Sequence, residues 1–362
     1  MKTKLNLSFV FLSLALLFSQ PLTALSKSKP PIFKTAEDAD IYFTLHYNDA
    51  CRHYNNQEWK QAAKEFENVV YYFSTSEKAT DAFYFLGVSY FELGEYDFAN
   101  FAFTSYLKAP GHPQYFEDTV NYKFCIAEYF RGGEKRRLFK VKFCPKWASA
   151  RTMALSIYDE IIVAIPNNEL AARALYSKAT LLQKMKEYRD SVDAYQIIIR
   201  RFPKNELAPQ AYLDIAKAYC QLSLLEFQNP DILGLAELNA RKFREDFPRD
   251  ERVEIADGYV QRIKEIYAKG LCDVGLFYER IGTPHAAAIY FRSSIEEFPD
   301  TSVAAFCQER LNLIECIEAE GLVEERSDLV FSNAPEEPMP FDAEELYPVI
   351  DPLDSNRLLT DQ

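Results

Sequence analysis

The chain has 362 residues, 48% of them hydrophobic and 15% aromatic, with 11 glycines and 18 prolines. One core rarely grows past about 250–300 residues, so this length points to several units or a repeat array, and the composition excludes collagen, a disulfide mini-scaffold and wholesale disorder. The net charge is −13, yet residues 318–362 alone hold 13 acidic and 2 basic residues, which leaves a nearly neutral body without the basic surface that nucleic-acid binding needs.

The N-terminus reads as an export signal over residues 1–26. Lys2 and Lys4 precede an apolar stretch of 14 residues (5–18), and Pro21, Ala24 and Ser26 supply a cleavable boundary. An uncleaved anchor is the alternative, for which 14 apolar residues are short. No later window is apolar enough to span a bilayer. The mature protein is therefore expected outside the inner membrane.

From about residue 35 a helical apolar pattern breaks and restarts several times. In its clearest copy Phe83, Leu86, Gly87 and Tyr90 share one helix, Gly94-Glu95-Tyr96 turns the chain, and Ala99, Phe103 and Tyr106 line a second helix that Pro110 closes. Gly87 and Ala99 are small where two helices cross closely, and Tyr90 and Phe103 are large where the gap must be filled. This resembles the tetratricopeptide repeat, a helix–turn–helix unit. The same grid fits Ala50, Trp59, Ala62 and Phe66; Ala127, Ala154, Tyr158 and Pro166; Ala179, Tyr188, Tyr195 and Pro203; Ala216, Tyr219, Ala236 and Pro248; and Gly275, Tyr278, Gly282, Ala287, Phe291 and Pro299.

The expected fold is all-α: an α-solenoid of about six tetratricopeptide-like helix–turn–helix repeats, with a C-terminal capping helix and a disordered acidic tail. Residues 35–130 form aromatic-rich N-terminal repeats. A basic insertion follows over 131–146, read as a loop, and residues 147–320 hold the C-terminal repeats. The fifth repeat is lengthened over 222–233, residues 253–280 run as one long helix, and 302–320 cap the last apolar face. The tail, 321–362, holds five prolines and spaced apolar residues such as Phe331, Phe341 and Tyr347, suited to docking on a partner or on the chain's own groove.

Signed chemistry is missing. His46, His53, His112 and His285 fall in no metal-ligating spacing, and neither a nucleophile elbow nor a phosphate-binding loop occurs. No C-x-x-C pairs any of the seven cysteines; Cys125 and Cys144 bracket one loop and are the pair to test as a disulfide. No catalytic residue, metal or cofactor is expected. An enzyme or an enzyme's regulatory subunit is the remote alternative.

Two features suit binding. Between Tyr42 and Phe130 lie 25 of the chain's aromatic residues. On the repeat grid Tyr47, Cys51 and Tyr54, then Tyr84, Val88 and Phe91, then Phe124 and Glu128 face the inner side of the array. Such a face takes an apolar or aromatic-rich peptide; the competing reading has these rings packing between repeats. The insertion carries Arg131, Lys135, Arg136, Arg137, Lys140, Lys142 and Lys146 around Glu134. That cluster suits peripheral contact with anionic lipid, an acidic partner, the chain's own tail, or plain solvation.

A closer resemblance lies in the linkers. Arg201-Phe202-Pro203 with Ala208, Ala211-Tyr212, Ala216 and Tyr219 is similar to the BamD family, the helical lipoproteins of the outer-membrane β-barrel assembly machine. Tyr267-Ala268-Lys269, Tyr278, Ala286-Ala287-Ala288, Tyr290-Phe291 and Glu297-Phe298-Pro299-Asp300-Thr301 resemble that family's last repeat. The resemblance covers about residues 35–320. It implies a non-enzymatic periplasmic adaptor at the inner face of the outer membrane. Its C-terminal repeats would hold the barrel-forming subunit, and its N-terminal repeats would receive unfolded outer-membrane protein segments. The chain departs from the family in having no cysteine just after the signal, in its insertion and in its tail. Another envelope adaptor, of a secretion system or of cell division, is the alternative.

Overall fold

A computed structural model describes residues 33, 35–74, 76, 79–109, 114–138, 142, 144–226 and 229–319. The expected signal and tail, with Pro110, His112 and Lys140, lie outside the described residues. The chain divides into one compact unit up to Met153 and a second from Ala154.

The first unit holds α1 (Ala36–Asn55), α2 (Trp59–Phe73), α3 (Thr80–Glu92), α4 (Tyr96–Lys108) and α5 (Phe116–Gly132). Thr35 starts α1 with a capping box: its Oγ1 accepts from the Asp38 amide (3.1 Å), while its own amide donates to Asp38 Oδ2 (3.2 Å). Each helix packs on its successor, and α5 packs on both α3 and α4, the layering of a solenoid. Lys123 fastens α5 to α4. Its ammonium, fully buried, donates to Asn100 Oδ1 (2.8 Å) and Thr104 Oγ1 (2.6 Å).

One turn recurs. Gln57, Gly94, Lys186 and Gly282 each adopt a positive φ, and in each case the next amide bonds back to the carbonyl five residues earlier: Glu58 to His53, Glu95 to Tyr90, Glu187 to Leu182 and Thr283 to Tyr278. This left-handed closure ends the first helix of a pair and restarts the chain in the opposite sense. The small-to-large crossing is equally regular. A methyl added at Gly87 would lie 2.5 Å from the Phe103 ring, and one at Gly275 would lie 2.6 Å from Phe291.

The expected loop of the third repeat is instead a hairpin. β1 (Lys135–Arg137) pairs antiparallel with β2 (Lys146–Ser149), with an irregularity between Arg136 and Arg137. A run of basic residues gives no apolar alternation, so the strands carry no local signal; their acidic partners, Glu95 and Asp97, lie at the start of α4, as described below.

The second unit comprises α6 (Arg151–Ala164), α7 (Glu169–Lys184), α8 (Tyr188–Arg201), α9 (Leu207–Leu225), α10 (Pro230–Asp246), α11 (Arg252–Arg280), α12 (Pro284–Glu297) and α13 (Ser302–Ala319). The lengthened fifth repeat is met by the extension of α9 to Leu225 and by the Asn229 cap of α10. The long helix appears as the 29 residues of α11. The expected cap is α13. Its Val303, Cys307, Leu311 and Ile314 are buried at helical spacing against the core, while Gln308, Glu309, Asn312 and Glu315 face water. No disulfide joins any of the seven cysteines in this structure, the pair Cys125 and Cys144 included.

Candidate functional site

The expected inner face of the first unit is a continuous aromatic sheet of contacts. Tyr47 stacks on Phe43 (centroids 5.5 Å apart) and meets Phe66 edge-on. Tyr54 touches Trp59, Phe66 and Phe85, all edge-to-face. Phe91 lies against Tyr96 and Tyr122. These three rings and Phe124 are half-buried.

Tyr84 and Val88 correct the expectation. They are only 7% and 3% exposed, so neither presents a surface. The cause at Tyr84 is Tyr115, in the connection before α5. Its ring stacks on Tyr84 at 4.3 Å and 8°, and its amide donates to Tyr106 Oη (2.8 Å). The repeat grid assigns roles only to helical positions, so a ring arriving from a connection carries no signal on it. Tyr122, which stacks on Phe103 at 5.3 Å, was missed as well. Asp81 and Glu92 were within reach of the grid, since they share the helix stretch of Tyr84 and Phe91.

Burial raises the tyrosine hydroxyls. It is the largest cause at Tyr54, pushed up to about 12, where Tyr122, Glu92 and Tyr115 add to it. Tyr47 and Tyr84 are raised further, again mainly by burial, with Cys51 and Asp81 acting on the first and Tyr122 and Asp118 on the second.

The basic cluster is largely consumed within the unit, a second correction. Arg137 binds Glu95 through two parallel bonds (2.7 and 2.6 Å), donates to the Cys144 carbonyl (2.6 Å), and its amide donates to Asp97 Oδ2 (3.1 Å). Hydrogen bonding from Arg137 holds the Glu95 carboxyl below its usual range, with Lys146 assisting. Lys146 donates to the Gly94 carbonyl (2.6 Å). Lys142 pairs with Glu67, which also accepts from Tyr90, and its ammonium stands 5.2 Å over the Tyr90 ring. Arg131 pairs with Glu128 on its own helix. Only Lys135 and Arg136 of the expected patch are without an ion pair among the described residues. The hairpin is thus buttoned onto the α3–α4 turn, and it displays Trp147, 73% exposed, which no sequence pattern singled out.

The unit also has two open hollows. One, of about 470 Å³, follows Asp40, Ile41, Thr44, Leu45, Asn48 and Asp49 on α1, and the other, of about 540 Å³, sits among Glu128, Tyr129, Gly132, Gly133, Glu134, Lys135 and Lys146. No group of three or more potential metal-ligating side chains occurs among the described residues, and none of the described helices is long and apolar enough to cross a membrane.

Stacked helix pairs with a shared turn and crossing define an α-solenoid. Models of the tetratricopeptide repeat match residues 47–109 and 173–205. Two segments of the chain thus carry tetratricopeptide repeats, and repeats of this kind serve in general as scaffolds for protein–protein interaction. No curated protein matches it. Similar solved structures include MamA (14% identity, 59% of this chain and 97% of that one, TM-score 0.32). YrrB, described as a repeat protein with an unusual peptide-binding site, shares 13% identity over 59% of this chain and 90% of its own (TM-score 0.30). A tetratricopeptide repeat protein from Parabacteroides merdae covers 76% of this chain and 99% of its own at 14% identity (TM-score 0.31).

Proposed function

We propose that the chain is a non-enzymatic, exported adaptor of outer-membrane β-barrel assembly, similar to BamD. The first unit captures polypeptide segments on its aromatic face, and the second holds the barrel-forming subunit. One observation carries this reading. The 29-residue α11 bearing Tyr267 and Tyr278 is followed by α12 with Ala286-Ala287-Ala288 and Tyr290-Phe291, then by the Phe298-Pro299 stop and α13. That is the order of elements the resemblance implied from sequence. A preformed helical scaffold also lowers the ordering cost of binding a segment.

The test is in-cell photo-crosslinking from Phe277 or Leu313, both about half exposed in the second unit (51% each). The expected product is a crosslink to the barrel-forming subunit. Crosslinks to a secretion or cell-division complex instead would replace this reading with the alternative envelope adaptor. Mass spectrometry of the mature N-terminus checks export, with cleavage near residue 26 expected.

A further inference from the structure

The aromatic face of the first unit is flanked by acids on α3 and α5. Tyr47, Tyr54, Tyr115 and Tyr122 are half-buried there, over the buried Tyr84. The groups whose charges act on these hydroxyls are Asp81 and Cys51 at Tyr47, Glu92 at Tyr54, Asp118 at Tyr84, and Glu92, Asp118 and Cys125 at Tyr122, besides the tyrosines themselves. Of these groups the carboxylates of Asp81, Glu92 and Asp118 carry charge at neutral pH, since burial raises the hydroxyls of Tyr47, Tyr54, Tyr84 and Tyr122 and the Cys51 thiol.

Three of these acids stand out. Asp81, Glu92 and Asp118 form no ion pair among the described residues, and Glu92 and Asp118 are exposed. Around the hairpin the situation is reversed, since Glu67, Glu95 and Glu128 each have a cation. Carboxylates without an ion-pair partner among the described residues, on the helices that carry these half-buried rings, favour cations and repel acids, as do the negative ring faces themselves. A guanidinium suits it doubly, stacking flat on a tyrosine ring while offering two bonds to a carboxylate.

We propose that this face docks an extended segment in which arginine or lysine alternates with apolar residues. The cations reach Asp81, Glu92 and Asp118, and the apolar side chains lie on Tyr47, Tyr54 and Tyr122. The inference rests on the capture role proposed above and names the chemistry of what is captured. An aromatic-ended but uncharged segment would leave the three carboxylates unmatched.

The full chain is titrated with a fluorescein-labelled peptide of repeating Arg-Gly-Leu-Gly, beside Gln-Gly-Leu-Gly and Glu-Gly-Leu-Gly peptides of the same length. The arginine peptide is expected to bind at least about tenfold tighter than the glutamine one, with the glutamate one weakest, and to weaken as salt rises from about 0.05 M to about 0.5 M. Combining Asp81→Asn, Glu92→Gln and Asp118→Asn should erase the preference. A charge-matched control in the second unit, Glu245→Gln with Glu251→Gln and Glu254→Gln, should keep it. Equal binding of the arginine and glutamine peptides would overturn the cationic preference and leave the capture role standing. Failure of all three peptides to bind would remove the capture role and this inference with it. If the triple variant folds poorly, the unaltered chain and one ending at Ala319 still test the proposal: salt-independent binding, or loss of the arginine preference without the acidic tail, would overturn it.

Discussion

At Gly87 two effects oppose each other. Glycine inside a helix is about 0.5–1 kcal/mol worse than alanine, because it loses more backbone freedom on folding. Propensity alone therefore predicts that Gly87→Ala stabilises the protein. Packing predicts the reverse, since the new methyl would sit 2.5 Å from the fully buried Phe103 ring, and rings so placed have no room to retreat. Overpacking costs about 1–3 kcal/mol, so packing should win, and thermal melting should show a net loss of about 1–2 kcal/mol. Gly275→Ala should do the same against Phe291. Adding Phe103→Leu to Gly87→Ala should recover part of the loss, because the smaller side chain vacates the contested space. A Gly87→Ala protein more stable than the parent would show that the crossing accommodates a methyl.

Among the elements, the hairpin depends on one exchange of charge. The Glu95 carboxylate takes two bonds from Arg137 and lies 3.6 Å from the Lys146 ammonium. Because its folded pKa is depressed, its stabilising contribution is present above the ordinary glutamate range and disappears as pH falls through the folded value. Glu95→Gln should cost about 1 kcal/mol at neutral pH, at the low end for charge-assisted bonds because the site is partly wet. The gap between the two proteins should close below about pH 4 in denaturant titrations; a gap independent of pH would mean that shape, not charge, holds the strand. The cap makes a second case. Ending the chain after Thr301 removes α13 and uncovers the surface that Cys307, Leu311 and Ile314 seal, so the shortened protein should aggregate and melt earlier, as light scattering would record. These two elements also mark what the sequence could reveal. α13 was legible because its apolar residues recur at helical spacing within one short window. The hairpin was not, because Arg137 finds Glu95 42 residues away and Lys142 finds Glu67 75 away, and no local pattern records such pairs. Tyr115 was hidden for a related reason, lying in a connection where the repeat grid has no position.

For the molecule as a whole the deciding quantity is where the charge sits. Most of the net −13 belongs to residues 318–362, while the aromatic face carries its own local acids, which form no ion pair among the described residues. The two act at different ranges. Contact with Asp81, Glu92 and Asp118 fixes how long a cationic segment stays, whereas net charge sets how quickly it arrives, because long-range attraction steers the encounter. Ending the chain at Ala319 should therefore leave the ratio of arginine-peptide to glutamine-peptide affinity nearly unchanged. The association rate of the arginine peptide should drop severalfold at low ionic strength. The rate difference should vanish near about 0.5 M salt, where the screening length is only a few ångströms. Stopped-flow fluorescence separates the two quantities directly. If truncation abolished the preference, the cations would be binding to the acidic tail rather than to the tyrosine face.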